Sequence, residues 1–352
     1  MPSDVSAATL DQPGGLARPG PVLEVVNVTK RFVVHGRQRQ AGRRRYVTAV
    51  EGVNLALRAG EVTALVGESG SGKSTIARIL ARLEEPSSGQ VRLRGRNIRR
   101  GALAGRRSYL REVQLIFQDP FASLNHVHTV RHHLERPLRI HGYARSRDEV
   151  QVAIEALLKE VQLTPPSRFI DCYPYQLSGG QLQRIAIARA LAVRPKVLLA
   201  DEPVSMLDVS LRLGVLNLLA ELVEQRDLAL LYITHDIASA RYFASTMHVM
   251  YAGRLIESGA SEEVVRSPSH PYTQLLLQCS PDPLRDGPVA VVGGRAGARA
   301  LPVQGCAFCP RCPYAVEQCS LAVPPQVSVA DDHWAMCFLA ESRTPSGSTE
   351  ER

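Results

Sequence analysis

The sequence predicts an α/β fold built on a parallel sheet of the doubly wound kind, and three observations support this prediction. An apolar run at 62–66 leads into a glycine-rich loop and then into a helical pattern. A second apolar run, at 197–200, ends in two adjacent carboxylates. A helical pattern at 212–225 then separates it from a third apolar run at 228–234. Strands that alternate with helices are typical of a parallel sheet covered by helices.

The segments that precede and follow the glycine-rich loop also have recognisable patterns. Residues 1–21 are rich in Pro, Gly, Ala and Ser without periodicity, so we expect this arm to be disordered. The apolar patterns of 22–34 and 52–68 predict strands of the sheet that carries the loop. Residues of about 115–175 are mainly helical by pattern, for example 148–163.

The glycine-rich loop fits the phosphate-binding pattern G-x-x-x-x-G-K-[ST]. Glycines let successive backbone N–H groups turn toward phosphates, and the helix that follows adds its positive dipole end. Lys73 is expected to reach the β- and γ-phosphates, and the Ser74 hydroxyl to hold Mg²⁺. The predicted binding residues of this loop are Gly67, Ser69, Gly70, Ser71, Gly72, Lys73, Ser74 and Thr75.

The two carboxylates at the end of the second apolar run predict two separate roles. Neighbouring strand residues point to opposite faces, so Asp201 and Glu202 cannot act on the same atom. Asp201 is the better candidate for Mg²⁺, held through water. Glu202 is then left to polarise the attacking water as a general base.

A third segment, Leu177-Ser178-Gly179-Gly180-Gln181, resembles the signature loop of the ATP-binding cassette (ABC) ATPases. The resemblance implies an ABC-type P-loop NTPase, with a RecA-like parallel sheet core plus a helical subdomain. In that family the signature loop opens a helix whose start binds the γ-phosphate of ATP held by the opposite subunit. The apolar spacing of 182–193 is helical, so this geometry is available here. A complete site would therefore need two subunits, with ATP and Mg²⁺ as cofactors.

The resemblance implies roles for four further residues. Gln118 is similar to the glutamine that senses Mg²⁺ and the attacking water while touching the membrane subunit, and His235 to the switch histidine that contacts the γ-phosphate. Asp208 resembles the acid of the loop that crosses the dimer interface, although Met206 stands where the family more often has alanine. Phe32 lies where the family places an aromatic ring on adenine, and Tyr46 is the alternative.

The composition limits the class of protein. The chain has 352 residues and is 45% hydrophobic, which is enough for one large domain and a small one. It contains neither an apolar run long enough to span a membrane nor a signal-peptide pattern, so we expect it to stay in the cytoplasm. The net charge of +8 comes from arginines scattered over many segments, with clusters at 37–45 and 92–111. This distribution favours solvated surface over nucleic-acid binding, and proximity to a membrane is the second interpretation.

The C-terminal part indicates the subfamily. Residues 267–281 and 305–339 resemble the C-terminal extension of oligopeptide/dipeptide-type importer ATPases. The resemblance covers about residues 22–340, and its departures include His126, where proline is usual. It implies an ABC domain at 22–265, with its helical subdomain at about 115–175. A small Cys-rich extension at 266–352 would follow and end in a flexible tail.

Five of the seven cysteines lie between Cys306 and Cys337, which is unusual for a cytosolic protein. Thiolates in a segment too small to build its own core can converge on a metal. Some subfamily members hold a [4Fe-4S] cluster with similar spacing, and Cys309 is the spare thiol. Zinc is the chemical alternative, and unligated buried cysteines are a third interpretation. The resemblance assigns the cluster to Cys306, Cys312, Cys319 and Cys337.

The leading functional hypothesis is the ATP-hydrolysing subunit of a peptide importer, working at the cytoplasmic face of the cell membrane. The resemblance implies a homologous ATPase as a heterodimer partner, two permease subunits and an extracytoplasmic solute-binding protein. Relatives carry oligosaccharides or nickel, so those solutes stay open. The rival hypothesis, a soluble ABC ATPase acting on nucleic acid or the ribosome, is disfavoured because those usually have two cassettes or long coiled-coil insertions.

Overall fold

The computed structural model describes residues 20–34, 45–98, 105–279 and 305–341. The arm predicted to be disordered lies outside the described residues except for its last two positions. The predicted flexible tail also lies outside them, beyond residue 341. None of the helices within the described ranges is long and apolar enough to cross a membrane.

A large sheet of eight strands forms the centre of the fold, in the order β11-β12-β10-β9-β3-β8-β7-β6. The five strands from β9 to β6 are parallel, as predicted for this region. The strands are β3 (Val62–Val66), β6 (Val113–Ile116), β7 (Val197–Asp201), β8 (Ala229–Thr234), β9 (Thr246–Tyr251), β10 (Arg254–Ala260), β11 (Val327–Ala330) and β12 (His333–Ala335).

The parallel arrangement predicted for the core does not extend to one edge of the sheet, because β10 runs antiparallel to β9. Only Ala252 and Gly253 separate these strands, and both have positive φ. A two-residue connection can return the chain only as a hairpin, whereas a parallel neighbour needs a longer crossover. The C-terminal strands β12 and β11 then extend this antiparallel edge.

The N-terminal strands form a sheet of their own, which corrects the prediction that they share the sheet of the phosphate loop. This small sheet is antiparallel, in the order β2-β1-β4-β5. Its alternating pattern predicts strands but does not reveal which sheet they join. The strands are β1 (Leu23–Val34), β2 (Arg45–Leu57), β4 (Ser88–Leu93) and β5 (Arg96–Asn97).

Helices cover both faces of the large sheet, and the sheet separates two apolar cores. Successive residues of β3 point to opposite faces: Ala64 and Val66 belong to one core and Leu65 to the other. The helices are α1 (Lys73–Leu80), α2 (Arg106–Glu112), α3 (Pro120–Ser123), α4 (Val130–Ile140), α5 (Arg147–Glu160), α6 (Gly179–Leu191), α7 (Val209–Arg226), α8 (Ile237–Phe243), α9 (Ser261–Arg266), α10 (Pro271–Cys279), α11 (Glu317–Leu321) and α12 (Phe338–Glu341).

The chain between β6 and α6 is helical apart from its connections. Helices α4 and α5 pack on each other and on α6, with Leu134, Ile154 and Ile185 fully buried between them. This packing fixes the start of α6, where the signature loop lies.

Candidate nucleotide site

The phosphate loop connects β3, whose five residues are all buried, to α1. Two of its glycines are required by their neighbours. A Cβ on Gly67 would lie 2.2 Å from the carbonyl oxygen of Met250, and one on Gly72 would lie 2.4 Å from that of Ala49. Gly72 also has a φ of +111°, a conformation that side chains disfavour. The backbones of β9 and β2 therefore leave room only for glycine.

Lys73 begins α1 and is 4% exposed. Its Nζ donates hydrogen bonds to the carbonyl oxygens of Gly67, at 2.7 Å, and Glu68, at 2.8 Å. Burial lowers the pKa of Lys73, and the nearby carboxylates of Glu202 and Asp201 act in the opposite direction. The ammonium group thus binds two carbonyl oxygens of the phosphate loop. An oxyanion would bind it more strongly than these two neutral acceptors do.

Ser74 and Asp201 meet across the site, since the Ser74 hydroxyl donates to Oδ1 of Asp201 at 3.0 Å. Burial raises the pKa of Asp201, and the hydrogen bond from Ser74 opposes that shift. A hydroxyl and a carboxylate at this distance are hard oxygen donors of the kind that Mg²⁺ prefers. The chemistry of these two side chains therefore fits Mg²⁺.

Glu202 follows β7 in the left-handed region, with a φ of +48°. Its N–H donates to the carbonyl oxygen of Ile233 at 3.0 Å, which fixes the turn. Its carboxylate accepts a hydrogen bond from Nε2 of Gln118 at 2.9 Å and lies 3.4 Å from Nδ1 of His235. Asp201 and Glu202 therefore have different partners, although they are adjacent in the chain.

One cavity of 840 Å³ is lined by Lys73, Ser74, Gln118, Glu202 and His235. The predicted residues Asp201, Gly67 and Ser71 are not part of its wall. Its wall also contains residues that sequence reasoning missed: Ala49, Glu68, Arg212, Asp236, Ile237, Ala238, Leu276 and Cys279. Glu68 occupies a variable position of the loop pattern. Leu276 and Cys279 lie in segment 267–281, whose resemblance to the C-terminal extension assigned them no role. The predicted residues on the wall are Ser69, Gly70, Gly72, Lys73, Ser74, Thr75, Gln118, Glu202 and His235.

The signature loop is not part of this wall. Ser178 caps α6 in a reciprocal arrangement, in which its hydroxyl accepts the N–H of Gln181 and the Gln181 side chain accepts the N–H of Ser178. Asp208 precedes α7 without a side-chain cap hydrogen bond. Among the described residues that line the cavity, none belongs to the signature loop and none is Asp208.

The two candidate aromatic residues lie on the small sheet and also away from the cavity wall. Phe32, on β1, is 37% exposed and has Nζ of Lys30 at 4.8 Å from its ring centroid. Tyr46, on β2, pairs with Val33, so the two rings occupy neighbouring positions of one hairpin. Either ring is accessible to a ligand.

The cysteine-rich segment lies beside the nucleotide cavity. The Cys306 thiol accepts backbone N–H groups from Phe308 and Cys309, and burial raises its pKa to about 11. Cys337 is similarly bonded to backbone N–H groups, and Cys319 contributes to raising the pKa of both thiols. Across the described ranges, no group of three or more His, Cys, Asp or Glu side chains could hold a metal ion. The predicted iron–sulfur site therefore has no support from the arrangement of these side chains.

Comparisons with known proteins identify two family profiles and several relatives that this chain resembles. The profile of the ABC transporter family matches residues 50–205, and that of the oligopeptide/dipeptide transporter C-terminal region matches residues 256–319. A di/tripeptide transport ATP-binding protein of Pseudomonas aeruginosa is 42% identical, over 84% of this chain and 91% of its own. An oligopeptide transport ATP-binding protein of Bacillus subtilis is 39% identical, over 90% of this chain and 97% of its own.

Solved structures give the same result for the fold. The ATP-binding cassette MJ0796, in a dimeric post-hydrolysis state bound to ADP and Pi, is 32% identical to this chain. It matches with a TM-score of 0.59 over 68% of this chain and 98% of its own. The chain therefore belongs to the ABC transporter family, is an ABC-type ATPase that uses ATP and Mg²⁺, and falls among the oligopeptide/dipeptide transport ATP-binding subunits.

Proposed function

We propose that this chain hydrolyses ATP to power the import of peptides through a membrane transporter. The observation that carries the proposal is the meeting of Lys73, Ser74, Gln118, Glu202 and His235 at one cavity. The peptide substrate is supported by relatives whose names specify di/tripeptide and oligopeptide transport.

Each side chain predicted to bind Mg²⁺ or to act in catalysis has a role that its position supports. Lys73 neutralises the β- and γ-phosphates once it leaves the loop carbonyls. Ser74 and Asp201 hold Mg²⁺, with Gln118 beside the ion and the attacking water. Glu202 takes up a proton from that water as the general base, and His235 contacts the γ-phosphate.

The second half of the site comes from another subunit. Residues 178–181 would bind the γ-phosphate of the partner's ATP, and Asp208 would cross the interface. The dimeric state of the related cassette supports this arrangement. We propose a homologous ATPase as the partner in a heterodimer, with Phe32 or Tyr46 stacking on adenine.

The proposed assembly places the subunit at the cytoplasmic face of the membrane. Two permease subunits would contact the helical region at about 115–175, and an extracytoplasmic solute-binding protein would deliver the peptide. The proposed division of the chain is an ABC domain at 22–265 and a C-terminal domain at 266–352. Permeases and a solute-binding protein recovered with this subunit from gently solubilised membranes would support the assembly. Ribosomal or DNA-bound proteins in their place would contradict it.

Glu202→Gln tests the general base. The variant keeps the shape of the side chain but loses its basicity, so hydrolysis should fall at least about 100-fold while ATP binding persists. Size-exclusion chromatography with Mg-ATP should show a trapped dimer. Glu224→Gln, at an exposed position of α7, is the matched control. Normal turnover by Glu202→Gln in the assembled complex would exclude the general-base role.

We further propose that Cys306, Cys312, Cys319 and Cys337 take up a [4Fe-4S] cluster, a proposal that rests on their spacing along the sequence. As arranged here, the described side chains form no metal-binding group, so the four thiols would have to converge when the cluster binds. The double variant Cys312→Ser, Cys319→Ser should lose visible absorbance and bound iron. If the wild type contains one zinc per chain and no iron or sulfide, the site is a zinc site. If it is colourless and free of metal, the cysteines are structural thiols.

A further inference from the structure

Glu68, a variable position of the phosphate loop, connects the nucleotide cavity to the C-terminal part of the chain. Its carboxylate accepts two hydrogen bonds from Arg311, both at 2.9 Å. Its backbone N–H donates to the hydroxyl of Tyr272 at 2.8 Å. These contacts join residues 243 and 204 positions apart. Two separate C-terminal residues therefore hold the same residue of the loop.

Arg311 comes from the middle of the cysteine-rich segment. It lies in the 3₁₀ turn between Cys309 and Cys312, whose backbones are joined by a hydrogen bond of 3.2 Å. The paired Glu68 carboxylate raises the pKa of Arg311, and the guanidinium also lies over the ring of Phe308. We call residues 309–312 the cysteine turn. The position of the guanidinium therefore depends on the fold of this turn.

Tyr272, on α10, is fully buried and packs against Tyr251 and Phe308. Its backbone N–H donates to Nδ1 of His270 at 3.0 Å. The N–H of His270 donates in turn to the fully buried carboxylate of Glu257. A phenol held by such a network loses little freedom when it accepts the Glu68 N–H, so it fixes that end of the loop.

Glu68 also contacts the lysine of the nucleotide site. Its carbonyl oxygen accepts a hydrogen bond from Nζ of Lys73 at 2.8 Å and another from the N–H of Ser71. The N–H, side chain and carbonyl of one residue are thus engaged by α10, the cysteine turn and Lys73, respectively. A displacement of the cysteine turn would move the carbonyl on which Lys73 rests.

We propose that Arg311 and Tyr272 are positioning residues for the phosphate loop, through which the C-terminal segment sets the affinity of the cavity for nucleotide. Neither residue lines the cavity described above. The proposal rests on the nucleotide site proposed in the previous subsection and adds a link that its catalytic residues do not supply.

The first test measures binding of Mg-AMPPNP to the full chain by calorimetry. Arg311→Gln should raise the Kd about two- to five-fold, because the ion pair is partly exposed. Tyr272→Phe, which removes only the hydroxyl, should raise it about two- to ten-fold. Arg241→Gln is the matched control, since Arg241 makes a similar two-bond pair with Glu262 elsewhere. The control should bind like the wild type.

The second test separates positioning from a general loss of structure. Exchanging the charges, as Glu68→Arg with Arg311→Glu, should recover part of the affinity lost by either single variant. In the assembled transporter, Arg311→Gln should raise the KM for ATP and leave kcat nearly unchanged. Glu68→Gln breaks the same pair from the loop side and gives an independent measurement if Arg311→Gln unfolds.

The outcomes distinguish the two proposals. If the wild-type chain fails to bind Mg-AMPPNP, the nucleotide site itself is wrong. If the wild type binds and Arg311→Gln, Glu68→Gln and Tyr272→Phe all match it, only the positioning role is excluded. A charge exchange without recovery, or a fall in kcat at constant KM, would also exclude it.

Discussion

The phosphate loop and the signature loop both place glycines next to the start of a helix. Among the glycines of these two loops, packing between the described residues requires only Gly67 and Gly72. A Cβ on Gly67 or Gly72 would lie within 2.4 Å of a backbone oxygen. A Cβ on Gly179 or Gly180 would make ordinary contacts, at 3.4 and 3.5 Å, with the ends of leucine side chains. The fold of the chain therefore explains why glycine is needed at positions 67 and 72. Nothing within the described part of this chain explains the glycines at 179 and 180, which agrees with a partner or its nucleotide approaching there.

Gly72→Ala should produce the largest effect, because it tests the glycine that the fold requires. The new Cβ meets the Ala49 carbonyl in a backbone conformation that side chains disfavour, so we expect a loss of about 2–4 kcal/mol in the free energy of unfolding. Denaturant unfolding measures it. Gly70→Ala separates the two causes, since Gly70 also has positive φ but open space around its Cβ. Equal losses at both positions would assign the effect to backbone strain alone.

Gly180→Ala should reverse that pattern. The position is helical and uncrowded, so the free energy of unfolding should stay the same or rise slightly. Hydrolysis by the assembled dimer should fall about 10- to 100-fold if a phosphate approaches the backbone here, as expected when one well-placed N–H donor is disturbed. ATPase assays and thermal unfolding on the same preparation compare the two quantities. If Gly180→Ala destabilised the chain, or if it kept full ATPase activity, the proposed difference between the phosphate loop and the signature loop would be contradicted.

The difference between the loops also explains what could be predicted from the sequence. Lys73, Ser74, Asp201 and Glu202 belong to short motifs whose strands and helices fix their geometry, so pattern and spacing were sufficient to bring them together. The pairing of Glu68 with Arg311 joins residues 243 positions apart, and no local pattern encodes such a contact. The same limit applies to the sheets, because an alternating pattern predicts a strand without naming its neighbour.

The C-terminal strands show this limit in another way. The sequence indicates a small cysteine-rich extension, but it does not reveal that β12 pairs with β10 and lengthens the central sheet. The pairing brings His333, the first residue of β12, to the buried carboxylate of Glu257 on β10, which accepts a hydrogen bond from it at 2.9 Å. A buried Glu–His pair between distant segments becomes visible only after the fold has brought them together.

Asp201→Asn measures how far the buried carboxylate of Asp201 lowers the free energy of unfolding of the nucleotide-free chain. Folding raises the pKa of Asp201 through burial, so the folded chain holds its proton more tightly than the unfolded chain does. Wild-type stability should therefore fall relative to the variant as pH rises from the usual Asp range through the raised pKa. Above that range, the nucleotide-free variant should be the more stable of the two. Unfolding curves across pH check this, and a difference independent of pH would contradict it.

Ser178→Ala should give the smallest effect and the sharpest comparison, because α5 contains the same reciprocal cap as α6. Ser146 accepts the Glu149 N–H at 3.1 Å, and Ser178 accepts the Gln181 N–H at 3.4 Å. Either serine-to-alanine change should cost about 0.5–1 kcal/mol of unfolding free energy, with Ser178 at the lower end because its bond is longer. Only Ser178→Ala should also reduce hydrolysis in the dimer, by about two- to ten-fold, through a lost hydroxyl contact to the partner's nucleotide. If Ser146→Ala reduced hydrolysis equally, the loss would follow from a less stable helix. The contact between Ser178 and the partner's nucleotide would then be unnecessary to explain the result.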